Sequence, residues 1–233
     1  REKAPMKAMR NMYLNKNGNV INGLSLYGNL SVGVPGTVDG MIKAHQKYGK
    51  LPWKDLIHPA IALAEKGFAI TKRQAKELNE RRNNFLKYND TNYSIPLVKN
   101  HAWKEEDTLI QKELAKTLTL IRDKGREGFY LGITAENILK EMQRGKGLIS
   151  TEDLKNYESV WRTPVTGYYK NYRIISMPPP SSGGIALIQL LNMVENYPLK
   201  DWGWNTEKTV HLMAEAEKII YADRAEHFGE PDF

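Results

Sequence analysis

Helix-rich α+β is the fold class that this sequence predicts, and three observations carry it. Apolar residues recur at helical spacing over Pro52 to Gly67 and again over Asn205 to Phe228. One alternating stretch, Thr163 to Met177, reads as a single β-hairpin. Met177-Pro178-Pro179-Pro180-Ser181-Ser182-Gly183-Gly184 then forms a rigid corner into an almost wholly apolar run, Ile185 to Val194.

The bulk properties set bounds. A chain of 233 residues suffices for one large or two modest domains with a real core. No run approaches the ~20 apolar residues of a membrane span. The absence of cysteine removes disulfides, thiolate metal sites and a cysteine nucleophile. The net charge is +7, from 34 basic and 27 acidic residues. Its densest basic stretch, Lys72 to Lys87, is interrupted by Glu77 and Glu80 and lacks interleaved aromatics, so scattered solvated charge is preferred over a nucleic-acid platform. An acidic small substrate is compatible with the same surplus. The chain starts at Arg1 rather than a methionine, and a piece of a longer polypeptide is the expectation.

Taken in order, Ala8 to Leu14 reads as a short helix and Asn15 to Gly23 as a turn-rich loop. Gly33 to Gly40 leads into a helix ending near Tyr48, with Val38, Met41, Ile42 and His45 on one stripe. Its glycines do not fit the dinucleotide fingerprint, so a tight turn with close helix packing is preferred over phosphate binding. The helix from Pro52 carries Trp53, Leu56, Ile57, Ala60, Ile61 and Ala64 inward and stops at Gly67. Pro59 either kinks it or opens a new helix.

Lys72 to Leu86 is a polar surface helix, and Lys87 to Asp107 is irregular. Thr108 to Lys124 reads as a helix ended by Gly125; Phe129 to Gly132 bridges to another over Thr134 to Arg144. Ser150, with Asp153 three residues on, is a capped helix start. Ile185 to Val194, apolar on all sides, predicts burial on all sides. The last and longest helix, Asn205 to Phe228, places Leu212, Met213, Ala216, Ile219 and Ile220 on its apolar stripe, continued by Asp223 and His227. No clean linker is visible.

Candidate chemistry is sparse. Asp223 with His227 is the one helical pair of metal-ligand type, and packing or an ion pair is the preferred reading. Ser181 and Ser182 lie outside any Gly-x-Ser-x-Gly elbow and read as helix caps. Glu215, Glu217, Asp223 and Glu226 are of the type that serves as general acid or base, but on a polar helix face they read as solvated charge.

Several colinear stretches resemble the gamma-glutamyltranspeptidase (glutathione hydrolase) family, in its large subunit. They are Arg1-Glu2-Lys3-Ala4-Pro5; Val34-Pro35-Gly36-Thr37-Val38-Asp39-Gly40; Tyr48-Gly49; Leu51-Pro52-Trp53; Pro59-Ala60; Leu63-Ala64-Glu65-Lys66-Gly67-Phe68; Met177 to Gly184; Ala214-Glu215-Ala216-Glu217-Lys218; Tyr221-Ala222-Asp223-Arg224; and Gly229-Glu230-Pro231-Asp232-Phe233. The likeness runs from the first residue to the last. It implies a partial αββα N-terminal-nucleophile hydrolase fold, residues 1–233 being one fragment of the large subunit without its N-terminal strands or the small subunit.

The resemblance further implies a precursor that cleaves itself into two subunits, and a threonine nucleophile at the start of the small subunit, outside this chain. The γ-glutamyl group of glutathione passes to that threonine and on to water, an amino acid or a peptide. Arg1 matches the arginine that holds the α-carboxylate of the γ-glutamyl group, a role suited to a bidentate charge-assisted contact. No catalytic residue, metal or cofactor is expected in this chain. The small subunit is its expected partner, the periplasm or the cell exterior its expected location, and the fragment alone is expected to be inactive. A glutaryl or cephalosporin acylase of the same superfamily is the rival reading, and a non-catalytic helical binding module a further one. The apolar run from Ile185 also predicts exposed apolar surface and association of the isolated chain into a fragment dimer.

Overall fold

The computed structural model describes residues 2–90 and 92–228. Its contacts divide the chain into two compact units, Arg1–Val160 and Trp161–Phe233, a boundary that no shift in composition marks. Helices dominate both; the strands form two separate two-stranded antiparallel sheets. Among the described residues no helix is long and apolar enough to cross a membrane.

The first unit contains α1 (Thr37–Tyr48), α2 (Trp53–Lys66), β1 (Phe68–Ala69), α3 (Lys72–Tyr88), β2 (Thr108–Leu109), α4 (Lys112–Lys124), α5 (Glu127–Tyr130), α6 (Gly132–Arg144) and α7 (Thr151–Lys155). Helix α2 runs unbroken through Pro59, which settles the kink-or-restart alternative in favour of one helix. It buries Ile57, Ile61 and Ala64 against Ala115 of α4, with Trp53 and Leu118 at the edges. Leu56, counted inward by periodicity, is instead exposed. The capping box of Thr71 and Gln74 starts α3, whose remaining surface is polar and exposed.

Two expectations are corrected here. Ala8 to Leu14 is not a helix but a chain of isolated turns, closed by Ala8 N–H to Pro5 O and Met12 N–H to Met9 O. Of the expected stripe Met9 is exposed and Met12 and Tyr13 are only half-buried, too little cover to hold a short helix. The helix expected from Thr108 begins only at Lys112, because Thr108 and Leu109 pair with Ala69 and Phe68. Leu109 there joins a cluster with Ile70, Ala75 and Trp103. The irregular stretch before it is pinned rather than loose: Trp103 is buried, its ring N–H donates to Leu97 O at 2.9 Å, and its backbone N–H donates to Asn79 Oδ1 at 2.8 Å.

The second unit contains β3 (Val165–Tyr169), β4 (Tyr172–Ser176), α8 (Gly183–Val194), α9 (Leu199–Trp202) and α10 (Glu207–His227). The hairpin has the expected register, Gly167 opposite Ile174, and turns at Lys170 and Asn171, with Lys170 at φ 52°. Gly167 admits the Ile188 side chain of α8, which a Cβ would strike. Helix α8 corrects the expectation of burial on all sides: only Gly184 and Val194 are buried and Leu187 is exposed. Among the described residues of this unit its main neighbours are the hairpin and α10, and most of its girth is half-covered.

Candidate functional site

The chain behind Arg1 is built into the first unit by backbone contacts. Lys3 and Val34 exchange both hydrogen bonds of an antiparallel bridge, Lys3 N–H to Val34 O at 3.1 Å and Val34 N–H to Lys3 O at 2.7 Å. Gly33 lies against this segment so closely that a Cβ would press on Glu2 and on the Lys3 carbonyl at 3.1–3.2 Å. The glycine is needed for the approach of two backbones, not for a phosphate. Pro5 is buried, and Met6 N–H donates to Asp153 Oδ1 at 2.8 Å. Arg1 itself, the expected carboxylate ligand, lies outside the described residues.

Asp153 comes from the capped start read at Ser150. Its Oδ2 accepts from Ser150 N–H at 2.8 Å and Ser150 Oγ–H at 2.6 Å, while Ser150 Oγ accepts from Asp153 N–H at 3.2 Å. That is a closed capping box. Sequence spacing revealed the cap; it did not reveal that the other carboxylate oxygen reaches Met6.

A second acid organises the other side of Val34. Asp39, in the first turn of α1, is 3% exposed. One of its oxygens accepts from Arg126 Nε–H at 3.1 Å, and the other from Ser159 N–H at 2.7 Å and Ser159 Oγ–H at 2.5 Å. Arg126 also donates to the carbonyls of Lys155 and Tyr157, and its guanidinium lies over the Tyr130 ring. Tyr130 donates to Pro35 O at 2.7 Å and stacks on Tyr157. Burial alone would raise the Asp39 carboxyl, but the Ser159 hydrogen bonds and the charges of Lys43 and Arg126 outweigh it and hold the group below the usual carboxylate range. Burial pushes the Tyr130 phenol up to about 12. Asp39 was legible only as an acid at a helix start; nothing local announces partners more than eighty residues away.

The candidates of the second unit separate. Ser182 does not cap α8 through its side chain; it already has helical angles (φ −74°, ψ −19°), whereas a capping serine needs extended ones. Its hydroxyl accepts instead from Arg224 Nε–H at 3.0 Å. Ser181 Oγ accepts from Gly183 N–H at a long 3.4 Å. Asp223 accepts from Gln189 of α8 at 2.5 Å, while His227 is exposed beside Glu226. Glu215 is paired with Lys218 on the solvent face. Among the described residues no group of three metal-ligating side chains comes together.

Comparison with known proteins extends over the whole chain. The family model described as gamma-glutamyltranspeptidase matches residues 1–233. The glutathione hydrolase proenzyme of Escherichia coli (strain K12) is 43% identical over 233 residues, covering all of this chain and 40% of that protein. The crystal structure of Helicobacter pylori gamma-glutamyltranspeptidase superposes with a TM-score of 0.95 at 49% identity, over 100% of this chain and 67% of the other. The gamma-glutamyltranspeptidase of Pseudomonas nitroreducens gives a TM-score of 0.88 at 40% identity, over 100% of this chain and 69% of the other. The chain thus spans about 40% of the length of the curated relatives it matches.

Proposed function

Because the chain belongs to the gamma-glutamyltranspeptidase family, we propose that it is the large-subunit portion of an enzyme that cleaves γ-glutamyl amides such as glutathione. The single observation that carries the reading is the family match from residue 1 to residue 233, without a gap to hold a different function. In this reading the nucleophile is the threonine opening the small subunit of the same precursor. The γ-glutamyl group passes from it to water, an amino acid or a peptide, in the periplasm or outside the cell. The described helices are the outer cover of an αββα fold whose central sheets come mostly from the rest of the polypeptide.

Arg1 is the substrate ligand of this proposal. A guanidinium pairs with a carboxylate through two parallel hydrogen bonds, a geometry that lysine cannot reproduce. Steady-state kinetics of the full-length protein on a γ-glutamyl chromogenic amide test the reading. Turnover is expected to exceed that on the glutaryl amide, which keeps the terminal carboxylate but lacks the α-amino group, and Arg1→Lys is expected to raise KM for the γ-glutamyl substrate. Equal rates on the two amides would favour the acylase reading instead.

A further inference from the structure

We propose that Asp153 is a positioning residue for substrate binding, holding the backbone behind Arg1; this rests on the reading of Arg1 as the α-carboxylate ligand. Asp153 is 7% exposed, so both of its oxygens need partners. The capping box at Ser150 uses only Oδ2. The other oxygen accepts Met6 N–H, a contact between residues 147 apart in sequence that contributes nothing to α7.

The Met6 side chain is 68% exposed, so packing does not fix residue 6; its backbone hydrogen bond does. Lys3 is tied to Val34 from one direction, Pro5 is buried between, and Met6 is tied to Asp153. Residues 3 and 6 are thus both held, on the backbone that continues into Arg1. A bidentate guanidinium–carboxylate pair tolerates little displacement, so the precision of this hold passes into the affinity for the γ-glutamyl group. The α-carboxylate does not react, so its contact is made in ground and transition states alike, and its weakening shows in KM with kcat retained.

The test is kinetics of the full-length protein on a γ-glutamyl chromogenic amide, with thermal melting in parallel. Asp153→Ala is expected to raise KM about tenfold, the worth of one hydrogen bond to a charged group, with kcat little changed. Asp153→Asn keeps an acceptor oxygen for Met6 and is expected to restore most of the loss. Ser150→Ala breaks the cap but leaves the Met6 contact, so it lowers the melting temperature and leaves KM in place. Should Asp153→Ala fail to fold, Met6→Pro deletes the donor without altering α7 and is expected to raise KM likewise. Equal KM values for the Ser150 and Asp153 variants, or a loss of stability alone, overturn the proposal. If Arg1→Lys raises KM and the Asp153 and Met6 variants do not, the positioning role fails alone. If Arg1→Lys leaves KM unchanged, the reading of Arg1 fails with it.

Discussion

Asp39 grips Ser159 twice with one carboxylate oxygen, at the backbone N–H and at the side-chain hydroxyl, while the other oxygen takes Arg126. The pair fastens the start of α1 to the residue just before the boundary at Val160.

Replacing Asp39 by alanine removes the acceptor from all three donors and leaves the half-buried Arg126 charge without its carboxylate. Loss of one partner of such a pair costs about 3 kcal/mol. Asp39→Ala is therefore expected to lower the urea midpoint of the first unit, read from Trp53 and Trp103 fluorescence. Arg122→Ala, on an exposed pair with Asp123, should stay within about 0.5 kcal/mol.

Acid should act through the same carboxylate. Its folded pKa is depressed, so the stability it contributes is present above the unfolded pKa of about 3.9 and is lost as pH falls through the lower folded value. Stability measured from pH 6 downward should fall in that window. Asp39→Asn should flatten part of the slope; an unchanged slope would show that other carboxylates govern it.

Tyr130 sets the alkaline limit with the opposite sense. Its folded pKa, raised to about 12 by burial, exceeds an unfolded value near 10, so its stabilisation is intact below 10 and lost as pH rises through 12. Spectrophotometric titration should show Tyr130 ionising late, alongside an upward shift of Tyr157 that burial also causes, and Tyr130→Phe should remove the step near 12. The loss of the hydrogen bond to Pro35 costs about 1 kcal/mol at neutral pH.

Adjacent glycines of the corner should respond differently. A Cβ on Gly184 would run into the backbone carbonyl of Met177 and a methyl of Val165, whereas one on Gly183 meets only Ser181 Oγ at 3.6 Å. Gly184→Ala is expected to cost about 2 kcal/mol or more, and Gly183→Ala less than about 1. Melting temperatures of the two variants decide it.

What the sequence made legible were features closed within one element or one turn. The hairpin, the capping box at Ser150, the stop at Gly67 and the long last helix all depend on residues a few positions apart. What it hid depends on distant partners. Thr108 and Leu109 look helical until Phe68 and Ala69 are placed beside them. Asp39 and Asp153 look like ordinary acids at helix starts until Ser159, Arg126 and Met6 arrive. Helix α8 shows the converse, since an apolar sequence announces that cover is needed without supplying the surface that gives it.

The same distances fix a schedule. Asp39 and Ser159 are 120 residues apart, and Met6 and Asp153 are 147 apart. A ribosome adding 5–20 residues per second delivers Ser159 roughly 6–24 seconds after Asp39. Until Asp153 and Ser159 have been made, the contacts at Met6 and at Asp39 cannot form. The first unit is therefore completed only once its far end has been made.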